Sequence, residues 1–342
     1  MSDISRRLAS APLETLITSR RLWFVAAAIT IAVLPLVFTS SYWRANLTVC
    51  AINVLLAIGL DFVLGYAGQL NIGQSAFYGI GAYASTLLIM KLAMPFWIAF
   101  MLGVLIAGLA GALLSLFAVR LRGHYLAIAS LGFAVITYQV LLNWISMTQG
   151  PLGIYAIAPP PPLALPYLPR VAFTSAANFF YLTAGFALLV YFILDQLVRS
   201  PIGETLTAIR EDELSAASLG IDGPKWKAFG FAISSAVAGA AGCFYASFVG
   251  TLVPDAFFIT ESFSILAMVI VGGMGTLIGP VFGAILLTLL PELLRGIGDL
   301  RLIVYGASVA LVVLFMPGGL VQAVDLMARR AFRAKAKVEQ RR

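Results

Sequence analysis

Charge is scarce in this sequence. Lys, Arg, Asp and Glu make up 11% of its 342 residues, while apolar side chains make up 61%. A soluble domain carries roughly a quarter charged residues. This balance, with a mean hydropathy of +0.97, excludes a soluble protein and points to an integral membrane chain with little soluble mass. Histidine occurs once, at His124. That excludes a multi-histidine metal site, and His124 stands at a membrane end without an evident nucleophile or acid beside it. The two cysteines, Cys50 and Cys243, both sit inside apolar runs, so they read as small packing residues rather than a disulfide or metal set. The dipeptide Gly-Lys is absent altogether. Without it there is no phosphate-cradling loop, and the chain is not its own ATPase. Catalysis, a metal and a resident cofactor are therefore not expected, and neither is nucleic-acid binding. The basic tail lies next to a span, where attraction to anionic lipid explains it.

What the sequence does contain is long apolar runs, at about 22–42, 46–64, 75–90, 95–119, 124–142, 178–198, 228–250, 262–290 and 301–317. Each of these is near or above the length needed to span a bilayer as helix. The first lacks a clear cleavage site and reads as an uncleaved anchor. The third is short, and the eighth is too long for one span. Basic residues concentrate on cytoplasmic flanks. Placing the N-terminus inside also places Arg120, Arg122, Arg199, Arg210, Lys225 and Lys227 inside. The tail, with seven basic residues, belongs there too. Nine crossings would leave that tail outside. Splitting 262–290 at Gly272, Gly273 and Gly275, as two short spans or a re-entrant pair, restores even parity, with seventeen basic residues inside and five outside; the alternative is that one weak segment such as 75–90 does not cross. The expectation is an all-α polytopic membrane protein of about ten segments, two of them glycine-broken helices, with both termini cytoplasmic. Its parts are a cytoplasmic segment 1–21, a transmembrane domain 22–317 and a basic cytoplasmic tail 318–342.

The most irregular stretch inside the apolar region is Gly65–Tyr83, GYAGQLNIGQSAFYGIGAY. It has five glycines and no charge, and Gln69, Asn71, Gln74 and Ser75 are able to bond backbone. Broken backbone at membrane depth is tolerated only where it is buried in protein or lines a watery cavity. The stretch is therefore a candidate border of a substrate path. Gly65, Gly68 and Leu70 repeat without gaps as Gly272, Gly275 and Leu277, which fits the transporter habit of breaking helices at corresponding places in two halves. Asp61 is read as the one acid well within a span. Such a residue suggests a proton or ion site, but no second intramembrane acid accompanies it. A structural role beside the Gly65 break is preferred.

Two loops stand out. Residues 146–178, on the outer face, carry Pro159–Pro162, a stiff extended run that suits either a partner contact or a linker. The inside loop 199–227 opens with Ser200-Pro201, a helix start. Ile202, Leu206 and Ile209 follow at helical spacing, and Gly220 is a natural stop. An amphipathic helix must cover its apolar face, and with so little soluble mass in the chain a peripheral partner is the expected cover.

Taken together, five motifs resemble the membrane permease subunits of branched-chain amino acid ABC importers. They are GLDFVLGYAGQLNIGQSAFYGIGAY at 59–83, TQGPLGI at 148–154, SPIGETLTAIREDELSAASLGID at 200–222, VGGMGTLIGPVFGA at 271–284 and MPGGL at 316–320. The resemblance covers roughly residues 50–320. The family often has Asn at the position of Asp61, Ser at Asn71 and His at Gln74, and each difference keeps a hydrogen-bonding group. The resemblance implies a bacterial inner-membrane pore half that pairs with a second permease. Two cytoplasmic ATPases holding ATP and Mg would drive it, and a periplasmic binding protein would deliver leucine, isoleucine or valine. It also implies that the loop with Ile209, Arg210, Glu211, Asp212, Glu213, Ala216, Ala217 and Gly220 couples to the ATPases. The breaks with Asp61, Gly65, Gly68, Gln69, Asn71, Gln74, Gly272, Gly273 and Gly275 would border the pathway. Other readings are a related importer for urea or short amides, an ion-coupled transporter using Asp61, and a passive channel for a small neutral solute.

Overall fold

The computed structural model describes residues 27–118, 124–162, 172–298, 300–315 and 318–321. The arginines at 6, 7, 20, 21, 120, 122 and 170, the segment 1–21 and the basic tail from 329 onward lie outside the described residues.

The apolar runs are helices: α1 (Ala27–Val37), α2 (Ser41–Asp61), α3 (Gln74–Leu92), α4 (Phe96–Ala118), α5 (His124–Asn143) and α6 (Ala176–Arg199). Two short helices, α7 (Pro201–Glu211) and α8 (Glu213–Ser218), precede α9 (Gly223–Val249). The run 262–290 is two helices, α10 (Ile259–Gly272) and α11 (Ile278–Leu293), and α12 (Leu300–Phe315) follows. Among the described residues, six helical segments are long and apolar enough to cross a membrane, namely Ser41–Tyr66, Phe96–Phe117, Tyr125–Asn143, Ala176–Arg199, Gly223–Val249 and Pro254–Gly272. The chain is an all-α multi-pass membrane protein. A two-residue antiparallel pairing of β1 (Ile154–Tyr155) with β2 (Thr251–Leu252) ties the loop after α5 to the loop after α9.

α2 is apolar on every side and is enclosed by α6, α9, α10 and α11, as expected for a helix without a solvated face. α4 shows the opposite pattern. Its buried stripe is Phe96, Ala99, Phe100, Gly103, Ala107, Gly111 and Ser115, while Ile98, Met101, Leu105, Leu109 and Leu113 are exposed. Small residues inward and large aliphatic ones outward is the arrangement of a helix that packs on its neighbours and faces lipid. α3, α4 and α9 meet on such small residues. A Cβ on Gly81 or Gly242 would run into backbone of the facing helix, and one on Gly103 would sit 3.0 Å from Cys243 Sγ. Cys50 and Cys243 are both buried and unpaired.

Arg44, counted among the five outside basic residues, lies in the first turn of α2, where its Nε donates to the Phe38 carbonyl just after α1 at 3.0 Å. One expectation about a boundary is corrected. Backbone of α3 is regular from Gln74, so the interruption expected over Gly65–Tyr83 is confined to residues 65–73. Gly79 and Gly81 serve close helix packing instead.

Candidate functional site

The last turn of α2 widens into a π-helical turn, Phe62–Tyr66, a local underwinding that often marks functional positions. The chain leaves the helix at Gly68, whose φ of +65° is left-handed and costs a side-chain-bearing residue about 1–2 kcal/mol. Residues 67–73 then run without regular structure to α3. Gly68 is exposed, Ala67, Gln69, Asn71 and Gly73 are buried, and side chains satisfy backbone groups of the segment. Asn71 Oδ1 accepts the Gly73 N–H at 2.8 Å, and Asn71 Nδ2 donates to Gln74 Oε1 at 2.9 Å. Ser130 Oγ of α5 accepts the Ile72 N–H at 3.0 Å. Ser262 Oγ of α10 accepts the Ser75 N–H at 2.9 Å and donates to Ser75 Oγ at 2.8 Å. Ser234 Oγ of α9 donates to Gln74 Oε1 at 3.4 Å. Each bond meets a group that would otherwise be costly to bury. Gln69 Oε1 and Asp61 Oδ2 are buried with no hydrogen-bond partner among the described residues.

The second interruption, residues 273–277, separates α10 from α11 and mirrors the first. Gly275 (φ +75°) corresponds to Gly68, and Gly272, the last residue of α10, corresponds to Gly65. The two breaks touch. Asp61, fully buried, accepts the Gly275 N–H on Oδ1 at 2.8 Å, and a Cβ on Gly65 would sit 2.5 Å from Gly275 N. A carboxylate holding a backbone N–H is the structural role preferred for Asp61 above. Gly319 packs on Gly273, bringing the end of the MPGGL motif to the same place.

The inside loop supplies the third component. Ser200 Oγ accepts the Ile202 N–H at 3.3 Å to start α7. Leu206 and Ile209 of α7 are buried against the chain's own bundle. This corrects the expected cover: the apolar stripe of α7 is met by the π-turn and α9, so no peripheral partner is needed for it. Arg210 reaches inward from the end of α7, and its Nη1 donates to the Gly65 carbonyl. Its stem lies over Gly68, where a Cβ would sit 2.5 Å from Arg210 Cγ. Beyond it, Asp212 caps α8, accepting from Leu214 N–H (2.9 Å), Ser215 N–H (3.2 Å) and Ser215 Oγ (2.6 Å). These donors, led by the Ser215 hydroxyl, hold its carboxyl below the usual carboxylate range. α8 ends as the glycine predicts: Gly220 is left-handed at φ +84°, with Ile221 N–H on Ala216 O at 3.1 Å and Gly220 N–H on Ala217 O at 3.0 Å, a Schellman stop.

Asp61, Gly65, Gly68, Arg210, Gly273 and Gly275 thus form one cluster, and Gln69, Asn71 and Gln74 lie along the segment leading away from it. Glu211, Asp212, Ala217 and Gly220 stay on the exposed rim, while Ala216 is buried. Glu213 pairs with Lys227 of α9 at 2.7 Å. Sequence reasoning missed Ser130, Ser234 and Ser262, whose roles depend on distant backbone and leave no local signal. It also missed Glu261. That acid lies in the first turn of α10, inside the candidate span Pro254–Gly272 and within electrostatic reach of Tyr78 and Tyr245, so Asp61 is not the one intramembrane acid. The run taken from residue 262 stopped one position short of it. Among the described residues no cluster of His, Cys, Asp and Glu could hold a metal ion. The chemistry of this arrangement is conformational: two interrupted helices meet, lined by amides and hydroxyls, with a cation from a peripheral helix on top.

Residues 44–316 match the family described as branched-chain amino acid transport system, permease component. The high-affinity branched-chain amino acid transport system permease protein LivM of Salmonella typhimurium is 35% identical over 290 residues, 80% of this chain and 68% of that protein. LivM of Escherichia coli K12 is 36% identical over 291 residues, with the same coverage. The permease protein LivH of the same E. coli system type is 26% identical over 297 residues, 80% of this chain and 92% of LivH. No solved structure matches.

Proposed function

The chain belongs to the permease components of branched-chain amino acid transport systems, and from that premise we propose that it is one half of the translocation pathway of an ATP-driven importer for leucine, isoleucine, valine or related amino acids. The match over residues 44–316 carries this reading. The relatives named LivM and LivH are two distinct permease proteins, which favours pairing with a second permease. Two ATP-binding subunits, holding ATP and Mg, supply the energy, and a binding protein on the far side delivers substrate. The chain sits in a bacterial inner membrane as about ten segments, α1–α6 and α9–α12, with both ends cytoplasmic, as the distribution of basic residues favours. The permease domain is taken as 22–317 and the basic tail as 318–342, with Gly319 at its start packed on Gly273.

In this proposal the two breaks border the path. The loop 199–227 couples it to the ATPases. The docking face is α8, where Leu214 and Leu219 are 77% and 83% exposed on a helix outside the candidate spans. Reconstituted with its partners, the chain takes up radiolabelled leucine only when ATP is supplied. Accumulation by this chain alone on a proton gradient would sink the proposal. Uptake of urea or short amides in place of leucine would move it to the related importer class.

A further inference from the structure

Arg210 is exposed, but its side chain extends across to the helix breaks. It stands at the C-terminal end of α7, whose Leu206 and Ile209 are locked in the bundle, and its side chain closes over both helix breaks. The stem covers Gly68, at the left-handed exit from the π-turn. The guanidinium donates to the Gly65 carbonyl, and its Nη1 is 3.6 Å from where a Cβ on Gly275 would be. Gly275 in turn is bonded to Asp61. Three separate chain segments therefore meet at one cation.

We infer that Arg210 is a positioning residue through which α7 sets the geometry of both helix breaks during transport. This rests on the coupling role proposed for the loop above. Two arrangements use the same groups. In the one observed, the guanidinium is on the Gly65 carbonyl, Asp61 Oδ1 holds the Gly275 N–H, and Asp61 Oδ2 has no partner among the described residues. In the other, displacement of α7 lifts the guanidinium from Gly65 and sets it on the Asp61 carboxylate, freeing Gly275. An input at α7 shifts this equilibrium because the two states differ in contacts that α7 itself makes. The Gly65 carbonyl, in an open turn, accepts Arg210 without losing a helical bond.

The test has two arms. In the purified chain, hydrogen exchange at residues 67–73 and 273–277 reads the pinning without reference to transport. Arg210→Ala raises exchange in both segments by about threefold or more, within the range that coupling residues show. Arg210→Lys, which keeps a donor for the Gly65 carbonyl, recovers part of the protection. In the complete transporter with its ATPases and leucine-loaded binding protein, leucine moved per ATP hydrolysed falls by about threefold or more in Arg210→Ala. Asp61→Asn lowers that ratio to a smaller extent, and the double variant is no worse than Arg210→Ala alone. A purely structural role would reduce the yield of transporter without moving the ratio. Unchanged exchange at both breaks, or effects of Arg210 and Asp61 that simply multiply, would overturn the assignment. Absence of ATP-dependent uptake by the unmodified transporter strikes the transport reading instead, and leaves the exchange arm to decide on Arg210.

Discussion

Asp61 and Gly275 are 214 positions apart in sequence and are joined by a 2.8 Å hydrogen bond from the Gly275 N–H to the buried Asp61 carboxylate. The bond fastens the end of one interrupted helix to the turn of another. It also separates two roles for an acid at this depth, because a carboxylate holding backbone has a duty that an amide could perform.

Asp61→Asn keeps an oxygen for the Gly275 N–H and so retains most stability and a reduced but measurable uptake. Asp61→Ala leaves that N–H without a partner and lowers stability by about 1–3 kcal/mol. Thermal unfolding in detergent and leucine uptake distinguish the two. Complete loss of uptake in a folded Asp61→Asn protein would favour ion coupling through this acid.

Gly68→Ala places a side chain where φ is +65° and where Arg210 Cγ is 2.5 Å away. The backbone strain alone is worth about 1–2 kcal/mol, read as a lowered melting temperature. Gly132→Ala is the matched control. A Cβ there meets nothing within 4 Å on a helix, so that change is neutral or gains up to about 1 kcal/mol.

At Gly81, in the tight contact between α3 and α9, even a methyl group would meet the backbone of Gly239. Neither helix has a flexible end to yield there. Gly81→Ala therefore destabilises by about 1–3 kcal/mol, as overpacking does elsewhere, and it lowers the yield of monodisperse protein on size exclusion.

α8 should be resistant to acid at its N-terminus. The Asp212 carboxyl is held below its ordinary value of 3.8 by Ser215 and Leu214. A lowered carboxyl contributes its stabilisation above the unfolded value and loses it only as pH falls through the lower folded one. Protection factors for the Leu214 and Ser215 amides are thus level from neutral pH down to the ordinary carboxylate range and drop only below it. In Asp212→Asn they are independent of pH over the same interval.

Leu214→Glu and Leu219→Glu change exposed positions and leave stability within about 0.5 kcal/mol. If α8 is the docking face, the ATPases fail to copurify with these variants while the second permease still does. Unchanged recovery of the ATPases would remove α8 from the interface.

The helices, the division of 262–290, the Ser200 start and the Gly220 stop were all legible in sequence, because each depends on residues within a few positions of one another. The matched glycines 65/68 and 272/275 were visible as a spacing. Their contact was not, since nothing local records that two turns meet. Arg210 read as one charge in a charged loop, and only the placement of α7 brings its guanidinium to the Gly65 carbonyl. The cover of the α7 stripe was misjudged for the same reason: composition tells how much soluble mass a chain has, not whether its spans leave a groove at one end. Glu261 was lost to the edge of an apolar window.

The distances in sequence between bonded groups have a consequence for biosynthesis. Gln74 waits 160 residues for Ser234, Ser75 waits 187 for Ser262, and Asp61 waits 214 for Gly275. At roughly 5–20 residues per second of synthesis, Asp61 enters the membrane roughly 10–40 s before its partner has been made. During that interval the bonds within Asn71–Gln74 and from Ile72 to Ser130 can form, but the Asp61 carboxylate lacks its final partner. A nascent chain stalled before α9 presents the insertion machinery with an incomplete bundle whose carboxylate and amides need water or a chaperoning surface, and quality control would first recognise the protein in that state.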